Sequence, residues 1–303
     1  MGILLKDVIK YFLTFLPKIL FGAYSLYESI VALLLSKVFA YRLREIFINK
    51  VDSETLEVVH KTVSDVVRFK LHTPNSVCAM RHKSFSDKEP EMLEWIEEYG
   101  GKGALYDIGA NIGIYSLYYA KSHPGNVYSF EPSAFNLRQL AKNVSANSLS
   151  NKITIISTPL SDKTGAQTFI NSNVDEGGAL NAFGVNYGHD GEPIHRRLVE
   201  YSVIGFSLDD LKKTGAINEP PSLIKIDVDG IEHLILSGAT QTLSADTCKS
   251  VYIEVNDDFD EQSSNVRRLL ETSGFTLKEK RHAEMFDNDD KIGHTFNQIW
   301  VKE

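Results

Sequence analysis

The chain has only two cysteines in 303 residues, Cys78 and Cys248, with no C-x-x-C pair and no histidines at ligand-like spacing. That scarcity points to reduced, structural thiols in a cytoplasmic protein, and no metal site is expected. Basic charge is also short: 32 Lys and Arg face 40 Asp and Glu, for a net charge of −8. A nucleic-acid-binding surface is not expected from such a balance, because phosphate neutralisation needs clustered cations. Uninterrupted apolar runs are missing too. Ile19 to Tyr41 is long enough to be weighed as a membrane span, but Glu28 and Lys37 interrupt it. No A-x-A-like cleavage site follows a compact apolar core, so a signal peptide fits poorly. What remains is ordinary for a folded domain, with 43% hydrophobic and 24% charged residues.

The charge is unevenly spread. Residues 1–50 carry Lys6, Lys10, Lys18, Lys37, Arg42, Arg44 and Lys50 against Asp7, Glu28 and Glu45, a balance of +4 that leaves −12 on the other 253 residues. The same segment is rich in Leu, Ile, Phe and Tyr, with a break expected at Pro17-Lys18. Three readings are open: a pair of helices packed on the main domain or across a homodimer, a basic apolar anchor on the inner face of an anionic membrane, or a span.

Residues 51–103 read as a helical lead-in. Leu56, Val59, Val63, Val66 and Val67 form a helical stripe over Ser53 to Phe69, and a helix is expected after Ser86-Asp87-Lys88-Glu89-Pro90. From Ala104 strands and helices alternate. Strands are expected at Ala104–Ile108, Asn126–Phe130, Ile153–Ser157, Leu223–Val228 and Ser250–Val255, with closing strands at Phe275–Lys280 and Thr295–Val301. Helices are expected at Ile112–Ser122, Phe135–Asn147, Ile231–Leu243 and Glu261–Ser273. The alternation implies an α/β domain over 104–303, its mostly parallel seven-stranded sheet covered on both faces. Residues 165–206 interrupt the pattern as an insertion. It has strand-like pieces at Gln167–Ile170 and Leu198–Ile204 around a Gly- and Asn-rich loop, Glu176–Gly191, of the kind that serves as a lid or specificity element.

Asp107-Ile108-Gly109-Ala110-Asn111-Ile112-Gly113 turns the first strand into a helix, and glycine suits a backbone that must approach a ligand or adopt positive φ. Glu131 ends the second strand, where a carboxylate can accept both hydroxyls of a ribose. Asp107 can hold an ammonium. An NAD site would need G-x-G-x-x-G, but Asn111 stands two positions after Gly109 and obstructs the pyrophosphate. The turn therefore reads as a cradle for S-adenosylmethionine.

Lys225 to His233 is the densest polar cluster. Lys225 and Asp227 share one side of their strand, so the lysine needs Asp227 or Asp107 as partner. Asp227 and Asp229 fall at the strand's C-terminal mouth, with Glu232 and His233 opening the next helix and Glu254 ending the fifth strand. These five are the candidates for a general base or a positioning role in methyl transfer to a hydroxyl. Asp227-x-Asp229 also resembles the metal-holding pair of glycosyltransferases. A nucleotide-sugar- or NAD-dependent enzyme, or a non-catalytic S-adenosylmethionine-binding protein, stays as the alternative.

Tyr106 to Gly113, Phe130-Glu131-Pro132, Asn143 with Asn147, Leu208-Asp209, and Leu223 to Glu232 with Ser237-Gly238-Ala239 together resemble the FkbM-type methyltransferases. Thr73-Pro74-Asn75 and Phe85 to Glu91 resemble segments that precede the domain in some members. The resemblance covers about residues 70–303 and leaves residues 1–50 outside. It implies a class I methyltransferase (Rossmann-like) fold and O-methylation of a sugar, glycolipid or natural-product hydroxyl. It also implies cofactor contacts from Asp107, Gly109, Ala110, Asn111, Gly113, Glu131, Pro132 and Asp227, with Ser161 and Asp162 beside the adenine. Asp229 stands where members often carry glutamate.

Overall fold

The computed structural model describes residues 2–282 and 293–302, and the chain divides into two compact units between Glu54 and Thr55. The first unit is a helical hairpin, α1 (Gly2–Leu34) and α2 (Lys37–Asp52). Pro17 does not break α1. It removes one backbone donor, and the good helix formers around it, Leu13, Leu16, Lys18 and Leu20, carry the helix through. Ser36 caps α2 by accepting the Phe39 N–H at 3.1 Å. The two helices are joined by a Glu28–Arg44 ion pair, by Tyr24 stacked on Phe47 at 5.3 Å, and by the buried Val31 and Ala40.

The second unit begins with a correction. Residues expected as a helix over Ser53 to Phe69 instead form an antiparallel hairpin, β1 (Thr55–Lys61) and β2 (Val66–His72). Of the supposed helical stripe, Leu56, Val59, Val63 and Val66 are exposed and Val67 alone is buried, together with Val58, Phe69 and Leu71. A two-residue period with β-branched side chains wins over the apparent helical one. The Thr62 hydroxyl accepts the Asp65 N–H at 2.9 Å to close the turn. Two short helices follow, α3 (Ser76–Lys83), capped by Asn75, and α4 (Pro90–Tyr99), entered through Pro90.

The main sheet is built from β3 (Ala104–Ile108), β4 (Val127–Phe130), β5 (Ile153–Ile156), β9 (Pro221–Ile226), β10 (Ser250–Asn256), β11 (Thr276–Arg281) and β12 (Thr295–Val301). Its order is β11-β12-β10-β9-β3-β4-β5, all neighbours parallel except around β12, which is antiparallel to both β10 and β11. This is the mostly parallel seven-stranded sheet of the class I methyltransferase fold. Successive strand residues alternate between two cores. Leu105, Val127, Leu223 and Tyr252 enter one, and Tyr106, Tyr128, Ile224 and Ile253 the other.

Helices α5 (Ile114–Ser122), α6 (Ala134–Ala146), α7 (Leu208–Lys213), α8 (Glu232–Ser237), α9 (Thr240–Ser244) and α10 (Asp260–Thr272) complete the unit. One helix expected over Ile231–Leu243 is two. Asp209 accepts the N–H groups of Gln241 and Thr242, at 2.8 and 2.9 Å, and so starts α9 afresh. The 165–206 insertion folds as a small sheet of β6 (Gly165–Asn171), β7 (Ala182–Phe183) and β8 (Val199–Gly205), in the order β7-β6-β8.

Candidate functional site

Strands β3, β4 and β5 run to one side of the sheet and β9 and β10 to the other, so the strand order reverses between β3 and β9. A cavity of about 460 Å³ opens beyond the C-terminal ends of these strands, where such a reversal leaves a crevice. Ile108 and Gly109 line it from β3, Phe130-Glu131-Pro132 from β4, Thr158-Pro159-Leu160 from the loop after β5, Asp227 to Asp229 from the end of β9, and Glu254 from β10.

The turn after β3 is shaped by close approach. Gly109 has φ +81°, and a Cβ there would lie 1.8 Å from the Asp227 carbonyl oxygen, so only glycine lets the two strand ends meet. Asn111 follows with φ 53° and Gly113 with φ 83°. The Asn111 side chain is committed. Its amide donates to the Gly178 carbonyl at 2.9 Å and its oxygen accepts the Ile112 N–H. Glu131 accepts the Asn111 N–H and the Ser133 N–H, each at 2.8 Å. Two backbone donors thus aim one carboxylate at the cavity, with acceptor capacity to spare. Burial pushes its pKa up to about 7 despite those N–H groups.

Asp107 is fully buried and does not line the large cavity. It accepts the Ser116 hydroxyl at 2.6 Å and lies 3.2 Å from the Lys225 ammonium. Both contacts brace the turn from within. Lys225 meets both expected carboxylates, with Asp227 at 3.6 Å, and donates to the Gly109 carbonyl at 2.9 Å. Although burial works against its charge, Asp107 and Asp227 hold its pKa above the ordinary lysine value.

The five candidate bases separate by position. Asp227, Asp229 and Glu254 face the cavity, whereas Glu232 and His233 do not. Glu232 turns back and accepts the N–H groups of Val228 and Gly230, at 3.0 and 3.2 Å, making it a brace for the loop after β9. His233 is buried, its ring edge-on to Phe259, and burial lowers its pKa. Asp229, at φ 67°, accepts the Leu180 N–H at 2.7 Å and the Asn181 N–H at 3.2 Å, which ties the insertion to the strand end. Burial, and then Asp227 nearby, pushes its pKa up to about 6. Glu254 is pushed well above the ordinary carboxylate value by burial and by surrounding acids, Asp227 first among them. Asp227 is left as the carboxylate with an accessible edge, its side chain 35% exposed.

Ser161 and Asp162 do not line the cavity, and the Ser161 hydroxyl donates to Asp162; Thr158-Pro159-Leu160 of the same loop line it instead. Gly113 lies outside the lining, and Ala110 faces a small adjoining hollow that also meets Lys225 and Asp227. Gly178, Asn181, Ala182, Phe183 and His189 of the insertion line the cavity.

Sequence reasoning missed Arg81, Lys88 and Asn136, which reach the cavity from outside the βα alternation. Arg81 on α3 donates twice to the Gly177 carbonyl, at 3.0 and 2.8 Å, and Lys88 pairs with Glu89. Asn136 on α6 donates to Gly178 and accepts from Gly177, at 3.0 and 2.9 Å. The supposed free loop is therefore held at Gly177-Gly178 by Arg81, Asn111 and Asn136. The usable signal was Asn75, whose capping spacing to Cys78 marks the start of α3. Asn143 and Asn147 of the motif dock β2, accepting the N–H groups of His72 and Lys70 at 2.9 and 2.8 Å.

Residues 107–277 match the family described as the Methyltransferase FkbM domain. The chain belongs to the FkbM methyltransferase family. It is 26% identical over 192 residues to the 31-O-demethyl-FK506 methyltransferase FkbM of Streptomyces tacrolimicus, covering 57% of this chain and 72% of that one. Among solved structures it is similar to a methyltransferase FkbM from Methylobacillus flagellatus KT, at 15% identity and TM-score 0.42, over 74% of this chain and 52% of that one. It is also similar to Aeropyrum pernix fibrillarin in complex with S-adenosyl-L-methionine, at 12% identity and TM-score 0.40, over 67% of this chain and 66% of that one. Family membership sets aside the NAD- and nucleotide-sugar-dependent readings, and S-adenosylmethionine is the cofactor.

The residues present fit that cofactor. The Gly109 approach leaves room at the turn, and Glu131 offers acceptor positions for two ribose hydroxyls. Phe130, Leu160 and Ile231 supply apolar walls for an adenine, and Arg81 and Lys88 supply cations for a carboxylate. Asp227 and Asp229 suit a sulfonium and an ammonium.

Proposed function

We propose that this FkbM-family methyltransferase acts on oxygen, at a hydroxyl of a sugar, glycolipid or natural-product acceptor. The observation that carries the reading is Asp227, a carboxylate at the cavity edge beside Asp229, which is tied to the insertion, and Glu254, whose pKa burial raises. The name of the Streptomyces relative denotes methylation of a 31-O-demethyl compound, in keeping with an oxygen acceptor. Bound in the cavity, S-adenosylmethionine supplies an electrophilic methyl group on its sulfonium. Glu131 holds and orients the ribose, and Arg81 and Lys88 stand opposite the acids to fix the amino-acid end. Asp227 would accept the acceptor's hydroxyl proton as the methyl–sulfur bond breaks, its electron pair staying on the leaving thioether sulfur, and the carbon–oxygen bond forms, while Lys225 keeps that carboxylate in place. The insertion, fastened at Gly178 and at Leu180-Asn181, walls the acceptor side and excludes water.

The test is incubation of the protein with methyl-labelled S-adenosylmethionine and fractionated lipid, glycan and small-molecule extracts. A product heavier by one methyl group, with the label on oxygen and lost with Asp227→Asn, is expected. Label on nitrogen, sulfur or carbon overturns the oxygen assignment.

A further inference from the structure

We propose that the α1–α2 hairpin is a docking surface for an anionic lipid bilayer, lying on it and not across it. After the hairpin has packed its own seam, α1 still presents large apolar side chains to solvent, Phe21 at 70%, Leu33 at 85% and Leu34 at 73% exposure. Leu20, Tyr27 and Leu34 recur at heptad spacing, so one face stays apolar along four turns. Scattered exposed leucines need no explanation, but a continuous apolar helix face is a place where something binds.

Two observations select the occupant. No helix among the described residues is long and apolar enough to cross a membrane, so the apolar face sinks only to the headgroup boundary. The hairpin's cations are the second. Lys10, Lys18, Lys37 and Arg42 are exposed, in a segment of charge +4 within a chain of −8. Anionic headgroups complement that charge. A second copy of this chain would bring the same positive face to meet it, so self-association is opposed where lipid binding is favoured.

The test is co-sedimentation of the full chain with phosphatidylcholine vesicles, with and without phosphatidylglycerol. Binding to the vesicles that contain phosphatidylglycerol is expected, weakening as salt is raised. Leu20→Asp/Leu34→Asp should lower partitioning by more than roughly tenfold, since each removes a buried leucine from the interface. Lys18→Glu/Lys37→Glu should bring binding down to the level seen on phosphatidylcholine alone. Helix content by circular dichroism and S-adenosylmethionine affinity, both unchanged in every variant, show that the two units fold. Equal partitioning of the wild type and Leu20→Asp/Leu34→Asp overturns the proposal. So does a dimer that persists on dilution while the wild type ignores both kinds of vesicle.

Discussion

The Lys225 ammonium stands 3.2 Å from the Asp107 carboxylate and 2.9 Å from the Gly109 carbonyl, so one buried cation fixes both the end of β3 and the turn that follows it. Lys225→Met strips Asp107 of its counter-charge in a place water does not reach. Breaking a buried pair from one side costs about 3–5 kcal/mol, whereas replacing both partners with apolar groups is often neutral. Urea unfolding should therefore show a large loss for Lys225→Met and recovery in Asp107→Leu/Lys225→Met. Equal losses would mean that the pair carries no mutual dependence.

Glu131 gives a pH dependence of cofactor binding. Its pKa lies at about 7, above the ordinary carboxylate value, so the proton is held on the carboxyl below that point and released above it. Only the ionised form accepts from both ribose hydroxyls. Affinity for S-adenosylmethionine should accordingly rise between about pH 6 and about pH 8, and Glu131→Gln should flatten the rise. The sign for stability is opposite. The folded state binds the proton more tightly than the unfolded chain does, so this group's contribution to stability falls as pH rises from about 4.5 to about 7.

Asp227 and Glu254 face one cavity but differ in setting, because burial and surrounding acids raise the pKa of Glu254 well above the ordinary carboxylate value. Asp227→Asn should retain S-adenosylmethionine binding and lower turnover by about 10²–10⁴-fold, the usual range for a general base. Glu254→Gln keeps the size of the side chain and an acceptor oxygen and should leave turnover within severalfold. Single-turnover assays on the acceptor distinguish the two. Surviving turnover in Asp227→Asn would move the base elsewhere.

Asp229 ties the insertion to the end of β9. Its carboxylate accepts the Leu180 and Asn181 N–H groups, so Asp229→Ala should speed amide hydrogen exchange at both positions, while Asp229→Asn, which keeps an acceptor oxygen, should not. Unchanged exchange in Asp229→Ala would show that the wall is held by Gly178 alone.

The sheet was legible in the sequence because each strand of the βα alternation is short, apolar and bounded by turn residues. Ala104–Ile108 and Thr295–Val301 match their expected bounds. The hairpin at residues 55–72 was not legible, since Leu56, Val59, Val63 and Val66 fit a helical period by coincidence while lying exposed. Within the site, residues placed by strand ends, such as Glu131 and Asp227, were readable. Asp107 and Glu232 were found, but their side chains turn inward. A carboxylate at a strand mouth points either outward to a ligand or inward to a cation or backbone N–H, and spacing does not say which. Arg81 and Asn136 were invisible because their roles depend on long-range contacts to Gly177 and Gly178.

The central claim is that the crevice between β3, β4 and β9 holds S-adenosylmethionine through Glu131. Calorimetric titration of the wild type and Glu131→Ala with S-adenosylmethionine tests it most directly. Hydrogen bonds to a charged acceptor are worth about 1.5–3 kcal/mol, so micromolar binding by the wild type and at least a roughly tenfold weaker affinity in Glu131→Ala are expected. Equal affinity in the two proteins, or no binding by the wild type, would contradict it.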